Sequence, residues 1–197
     1  MPVLRIIKLL IIFLLASYML ACVQHNTKQE NLALACLFPN KQAAPGWVCG
    51  KPVPGLALQA VGVAEKSVAG TNYMHDMARI TAEKHLTEAF KIHAGKSVIQ
   101  YLISINVHSE DAIKAGASAI KSISIKTLAG AKQYRFELGP EGRAYVLLGL
   151  DENTRSALLE SVLKTSINND QALWQKIKMQ KSFDEIAIGI ATNGSVE

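Results

Sequence analysis

Cysteine is scarce in this 197-residue chain, with three in all, and no two of them form a close Cys-x-x-Cys pair. That absence excludes a thioredoxin-like redox motif and a cysteine-built zinc site, since both need closely spaced thiolates and zinc needs further ligands besides. The chain also lacks a Gly-x-Ser-x-Gly elbow, a His-Glu-x-x-His helix and a phosphate-cradling glycine loop, so no catalytic residue, metal ligand or cofactor is assigned. Internal repeats, low-complexity tracts and long heptad series are missing too. Lysines are spread among acids instead of clustered, which leaves no footprint for nucleic acid.

What is there begins with the first residues. Arg5 and Lys8 precede the apolar run Leu9-Leu10-Ile11-Ile12-Phe13-Leu14-Leu15-Ala16, the charged-then-apolar order of a secretory signal. The uncharged stretch from Leu9 to Cys22 falls short of the roughly 20 residues that cross a bilayer core, and polar His25, Asn26 and Lys28 follow at once. A permanent transmembrane helix is the weaker reading. Ordinary signal cleavage wants small side chains at the first and third positions before the cut, and a cut after Ala21 would place bulky Met19 there. The run Met19-Leu20-Ala21-Cys22 instead resembles a lipobox, with Met19 where that pattern most often has Leu. It implies diacylglycerol on the Cys22 thiol, cleavage before Cys22 and acylation of the freed amine. Two or three chains make a stable anchor, because each buried methylene contributes about 0.8 kcal/mol and one chain holds only marginally. Val23, where an Asp commonly signals inner-membrane retention, favours the outer membrane.

With Cys22 assigned to lipid, Cys36 and Cys49 remain as a pair in an exported chain, and a disulfide between them is expected. The polar stretch from Val23 to about Glu30 reads as a tether. In the closed loop, Pro45-Gly46-Trp47-Val48-Cys49 offers one large apolar surface at Trp47. Trp47 packs on the domain edge or, on a functional reading, forms a ligand-binding platform for a glycan or partner.

Four strands and several helices are predicted. Leu56–Ala64 reads as a strand, with Gly62 marking a bulge or a close backbone approach. A helix from about Asn72 to Lys91 carries Met74, Ala78, Ala82, Leu86 and Phe90 at helical spacing. Alternation at 99, 101, 103, 105 and 107 predicts a strand from His93 to about Val107. Ser109 is placed as the cap of a second helix reaching about Ile125, with a buried stripe of Ile113, Ala117, Ile120 and Ser124. Gly139-Pro140-Glu141-Gly142 turns between strands Gln133–Leu138 and Arg143–Leu150. Asp151 caps a helix to about Leu163, and a last helix near Asn168 carries Leu173, Trp174, Ile177 and Phe183. That tail either packs on the domain or pairs with another chain. The order suggests an α+β layer with helices on one sheet face.

Pro45-Gly46-Trp47-Val48-Cys49, Ala60-Val61-Gly62-Val63-Ala64, the alanine-rich helix and Tyr145-Val146-Leu147-Leu148-Gly149-Leu150 together resemble the LPP-twenty lipoprotein family over roughly residues 44 to 151. The resemblance implies a lipid-anchored envelope protein with a dodecin-like strand-helix-strand-strand core, here carrying an inserted helix and a helical C-terminal tail. Family members include surface antigens and flagellum-associated outer-membrane proteins, none an established enzyme, and no functional residue transfers. The resulting division is a signal peptide at 1–21, a lipidated N-terminus and tether at 22–43, the α+β domain at 44–151 and the helical tail at 152–197.

His75, His85 and His93 read as separate surface histidines, not as a metal set, and Glu83 and Glu88 as members of a charge-balanced helix face. Three function classes follow. The favoured one is a non-enzymatic structural or assembly lipoprotein, lipid-anchored in the outer membrane and facing the periplasm or cell surface, whose partners are copies of itself or an envelope assembly. The second is a ligand-, glycan- or cell-wall-binding module using Trp47 and a groove beside the first helix. An enzyme is the third and least favoured.

Overall fold

Val146, Leu148 and Leu150 alternate with Tyr145 and Leu147 along one strand that is apolar on both faces, and that strand organises the chain. In this computed structural model, residues 36–177 and 182–193 are described; the signal segment, Cys22 and the tether to Glu30 lie outside them. The described residues contain three strands, β1 (Leu58–Ala64), β2 (Lys132–Leu138) and β3 (Ala144–Leu150), in an antiparallel sheet of order β1-β3-β2. They also contain five α-helices: α1 (Thr71–Ser104), α2 (Ser109–Lys121), α3 (Glu152–Asn169), α4 (Gln171–Ile177) and α5 (Phe183–Asn193). The class is α+β, with a helical C-terminal segment.

One face of β3 presents Ala144, Val146, Leu148 and Leu150 to the helices, where they share a core with Ala78, Ala82, Leu86 and Phe90 of α1. The other face presents Tyr145 and Leu147 to Phe38 and Trp47, from the loop that Cys36 and Cys49 close by a disulfide. That loop has its own order. Leu37 bridges Ala43, Lys41 turns the chain at φ 67, and a 3-10 turn Gly46–Cys49 ends at Gly50 with φ 77. Helices therefore cover one sheet face and the stapled loop covers the other. Removing the staple by Cys36→Ser with Cys49→Ser frees the loop in the unfolded chain, with an expected loss of about 3 kcal/mol. A urea midpoint unchanged from wild type would show that the loop gains nothing from the bond.

The hairpin around Gly139–Gly142 and the cap by Asp151, whose Oδ1 accepts from the Thr154 amide at 2.8 Å, stand where the sequence put them. Three expectations are corrected. The strand predicted from His93 to Val107 does not form, because α1 runs on to Ser104 and buries Ala94, Val98, Tyr101 and Leu102 at helical spacing. Apolar alternation alone cannot tell a short run in a strand from one on a helix, and here burial on the helical period decides it. The α2 stripe is also different. Ala112, Ala115, Gly116 and Ala119 face inward, while Ile113 and Ile120 stay at the surface. A Cβ at Gly116 would lie 2.8 Å from Ile99, and one at Gly95 would lie 2.7 Å from Ile120, so the close crossing of α1 and α2 selects small residues over apolar ones. Finally, α2 is capped by His108, which accepts from the Glu110 amide, and not by Ser109.

The helices after β3 pack on the domain. Leu159, Leu163, Trp174, Ile177, Ile186 and Ile190 enter the same core as β3 and α1.

Candidate functional site

The residues singled out by sequence do not converge. Cys22 lies outside the described residues. Cys36 and Cys49 are bonded to each other. Trp47 is only 9% exposed and sits in the cluster of Phe38, Tyr145 and Leu147. A ring held this way offers no open face for stacking, so the platform reading of Trp47 is withdrawn and its packing role kept.

The cluster around Trp47 includes a polar contact. Tyr145 donates its hydroxyl to Glu141 in the hairpin turn, and its ring lies 5.4 Å from that of Phe38. Burial first, then the hydrogen bond to Glu141, push the Tyr145 hydroxyl up from 10.0 to about 12. The folded state thus favours the neutral phenol relative to the unfolded chain. This contribution to stability is complete below pH 10 and lost as pH rises from 10 to about 12. Tyr145→Phe should flatten that alkaline decline in a pH series of urea melts, and an unchanged decline would place its origin elsewhere.

The three histidines serve three separate contacts. His75 bonds Gln133 at 2.9 Å and stands edge-on to Phe136 with ring centroids 4.9 Å apart. His85 donates Nδ1 to the Val61 carbonyl at 2.8 Å. His93 reaches Arg155. Glu83 pairs with Arg79 at 3.1 Å and Glu88 with Lys91 at 2.9 Å on the α1 surface. Among the described residues, no three of His, Cys, Asp or Glu are grouped to hold a metal ion.

A polar centre that no sequence motif announces lies at Arg155, which is 1% exposed. Arg155 lies one turn into α3, after the Asp151 cap. Its guanidinium donates to Glu152 through Nε at 3.1 Å and through Nη2, to Ser156 Oγ at 3.2 Å, to the Ala191 carbonyl at 3.5 Å and to His93 Nε2. The Ala191 carbonyl belongs to the last turn of α5, the negative end of that helix. One buried cation therefore ties α1, α3 and α5 together. In sequence it reads as an ordinary Glu152–Arg155 pair, because His93 and Ala191 are far away along the chain.

A groove of about 610 Å³ opens between α2 and the α3–α4 junction, with Asp111, Lys114, Lys121, Asp170 and Lys176 around Ser118 and Leu173. Lys176 pairs with Asp111 at 3.8 Å and Lys114 with Glu110 at 2.6 Å. The Lys114 pair depresses the Glu110 carboxyl, through the hydrogen bond first and the charge second, and raises the ammonium correspondingly. This groove carries charged residues among its lining and lies on α2 and α4, not at Trp47 or beside the first helix, where the binding reading called for one.

No family model matches the sequence, and no curated protein matches it. What the geometry defines is an α+β domain stapled by one disulfide, with contacts that position helices.

Proposed function

We propose that the protein is a lipid-anchored bacterial envelope lipoprotein of the outer membrane, with a non-enzymatic structural or assembly role. The observation that carries this reading is the order Arg5, Lys8, apolar run, Met19-Leu20-Ala21-Cys22. The Cys36–Cys49 disulfide supports it, since such bonds persist in oxidising compartments outside the cytosol. Among the described residues no helix is long and apolar enough to cross a membrane. Lipid on Cys22 is the attachment in this reading. The likeness to the LPP-twenty family and its dodecin-like core is part of the proposal. Its support is that α1 occupies the stretch once read as a second strand, which leaves the order β1, α1, inserted α2, β2, β3. That is strand-helix-strand-strand with one insertion.

Intact mass and membrane fractionation of wild type and Cys22→Ala test the anchor. Wild type should carry a diacylglyceryl mass and float with outer membranes, while Cys22→Ala should keep its signal or become soluble. An unlipidated, soluble wild type removes the anchor and with it the assembly role. The second reading, a periplasmic or surface binding module for a ligand, glycan or cell-wall component, rests on the charged groove between α2 and α4. Titration with cell-wall fragments against Lys121→Glu reads it directly, and equal affinity for both chains would dismiss that groove.

A further inference from the structure

The two edges of the sheet are finished differently. On β1 the Val61 carbonyl is taken up by His85 of α1 at 2.8 Å, and the Gln59 side chain ties the strand to the segment at Lys51 and Val53. On β2, among the described residues, no strand pairs with the outer edge, and Phe136 and Leu138 stay 39% and 45% exposed. α1 packs on β1 and β3 and reaches β2 through His75. The Gly139 amide donates to the Arg143 carbonyl at 2.8 Å, which fixes the alternation of hydrogen-bonded pairs along the hairpin. By that alternation Arg135 and Glu137 turn their backbone groups toward β3, while Phe136 and Leu138 turn theirs outward. An edge of this kind is a template for another strand unless something blocks it.

The charges of β2 say which strand that is. Arg135 and Glu137 lie opposite Leu147 and Tyr145 on the loop side of the sheet, and Phe136 lies opposite Val146 on the helix side. Neither Arg135 nor Glu137 makes an ion pair among the described residues, and the Arg135 guanidinium donates to the adjacent Tyr134 carbonyl at 2.9 Å. Opposite residues of an antiparallel pair share a face, so a second copy that keeps both sheet faces continuous meets β2 about a twofold axis at a residue. An axis at Phe136 sets each Arg135 opposite the Glu137 of the other copy, giving two ion pairs on the loop side and a Phe136 pair flanked by His75 on the helix side. An axis at Arg135 opposes arginine to arginine, one at Glu137 opposes glutamate to glutamate, and one at Leu138 sets Glu137 against Gly139. In the Phe136 register the outward N–H and C=O of that residue in each copy also meet as a hydrogen-bonded pair. Arg-Phe-Glu is therefore complementary to itself in one register and repels itself in those centred on its two charged residues. The bulge between Gln133 and Arg135 ends the regular edge just before this stretch, so the contact is short and is specified by charge more than by area.

We propose that β2 is a self-association edge, at which two copies pair antiparallel through Arg135, Phe136 and Glu137 about a twofold axis at Phe136 and join their sheets into one. The inference rests on the assembly role proposed above, for which it names the partner and the contact. A contact this short gains from chains held in one plane, where a lipid anchor raises their effective concentration.

The test places a thiol at the axis. Full-length Phe136→Cys is prepared from membranes and, in parallel, with Cys22→Ala, where Cys36 and Cys49 stay bonded and no other thiol competes. A hydrogen-bonded pair holds its Cα atoms about 5.5 Å apart, within disulfide reach, so mild oxidation should give a reducible dimer. The same thiol at Lys84, exposed on α1, should not. Arg135→Glu should lower the crosslinked fraction about tenfold, because two attractions become two repulsions, and Glu137→Arg should do the same. Combining both changes in one chain, or mixing the two single-variant chains, should restore the dimer. A charge-sensitive dimer in either preparation supports the proposal. Its absence from both, indifference to the charge reversals, or capture of a different envelope protein at position 136 overturns it. Sedimentation of the Cys22→Ala chain with Phe136 intact, and of its charge variants, gives the same ranking if the cysteine disturbs the strand. Mass analysis of Cys22 judges the anchor separately, so a lipidated chain that does not crosslink keeps the anchor and loses this contact.

Discussion

Gly62→Ala is expected to abolish the folded state. The side chain of residue 62 points from β1 toward α1, and a Cβ there would fall 1.9 Å from the Ala78 carbonyl oxygen and 2.3 Å from the Ala82 amide nitrogen. Both atoms are backbone, so no rotamer change relieves the overlap. α1 would have to lift away from the sheet along the stripe of Ala78, Ala82 and Leu86, all fully buried. Overpacking that flexible side chains can absorb costs about 1–3 kcal/mol, and this overlap has no such outlet. The expected loss is therefore a large fraction of the roughly 5–15 kcal/mol by which a domain is stable. Circular dichroism should show no cooperative melt for the purified variant. A melting temperature within a few degrees of wild type would mean that the strand and helix are not in this contact.

Gly62 is also where the sequence was most informative, because an isolated glycine inside an apolar, β-branched run marks either a bulge or a close backbone approach, and the structure shows the second. The hairpin and the Asp151 cap were equally legible, since turn residues and caps act over a few neighbouring positions. Information of longer range was not. Whether Val98 to Val107 is strand or helix depends on what lies against it, and Gly95 does not end α1 because Ile120 of α2 packs over it. The inward face of α2 was misjudged for a related reason. Hydrophobicity ranks Ile113 and Ile120 above Ala112, Ala115 and Ala119, but the short distance to α1 rewards small size. Arg155 was invisible as a centre because two of its partners, His93 and Ala191, come from helices that only the fold brings together. Cys22 belongs to a different kind of legibility, being a processing signal whose meaning lies in the order of residues rather than in any packing.

Trp174→Ala should produce the second large effect, and in a manner that separates volume from hydrogen bonding. Trp174 is fully buried in the seven-residue helix α4. Its indole N–H donates to Ser166 Oγ of α3 at 3.2 Å, and Ser166 Oγ donates in turn to Ser118 Oγ of α2 at 2.9 Å. Such a short helix has little intrinsic stability, so its place depends on this one side chain and on Ile177. Truncation to alanine leaves a cavity of indole size and should cost about 3–5 kcal/mol. Trp174→Phe keeps most of the volume and removes only the donor, for about 1 kcal/mol, because Ser166 retains its bond to Ser118. Trp47 is the chain's other tryptophan, and with Trp174 gone its emission reports the disulfide loop on the opposite sheet face. In Trp174→Phe, a urea transition in Trp47 emission that coincides with the loss of helical dichroism would mean that both layers unfold together through β3, the strand they share. Equal losses for Ala and Phe would show that the relay to Ser118, and not the filled volume, is what holds α4 in place.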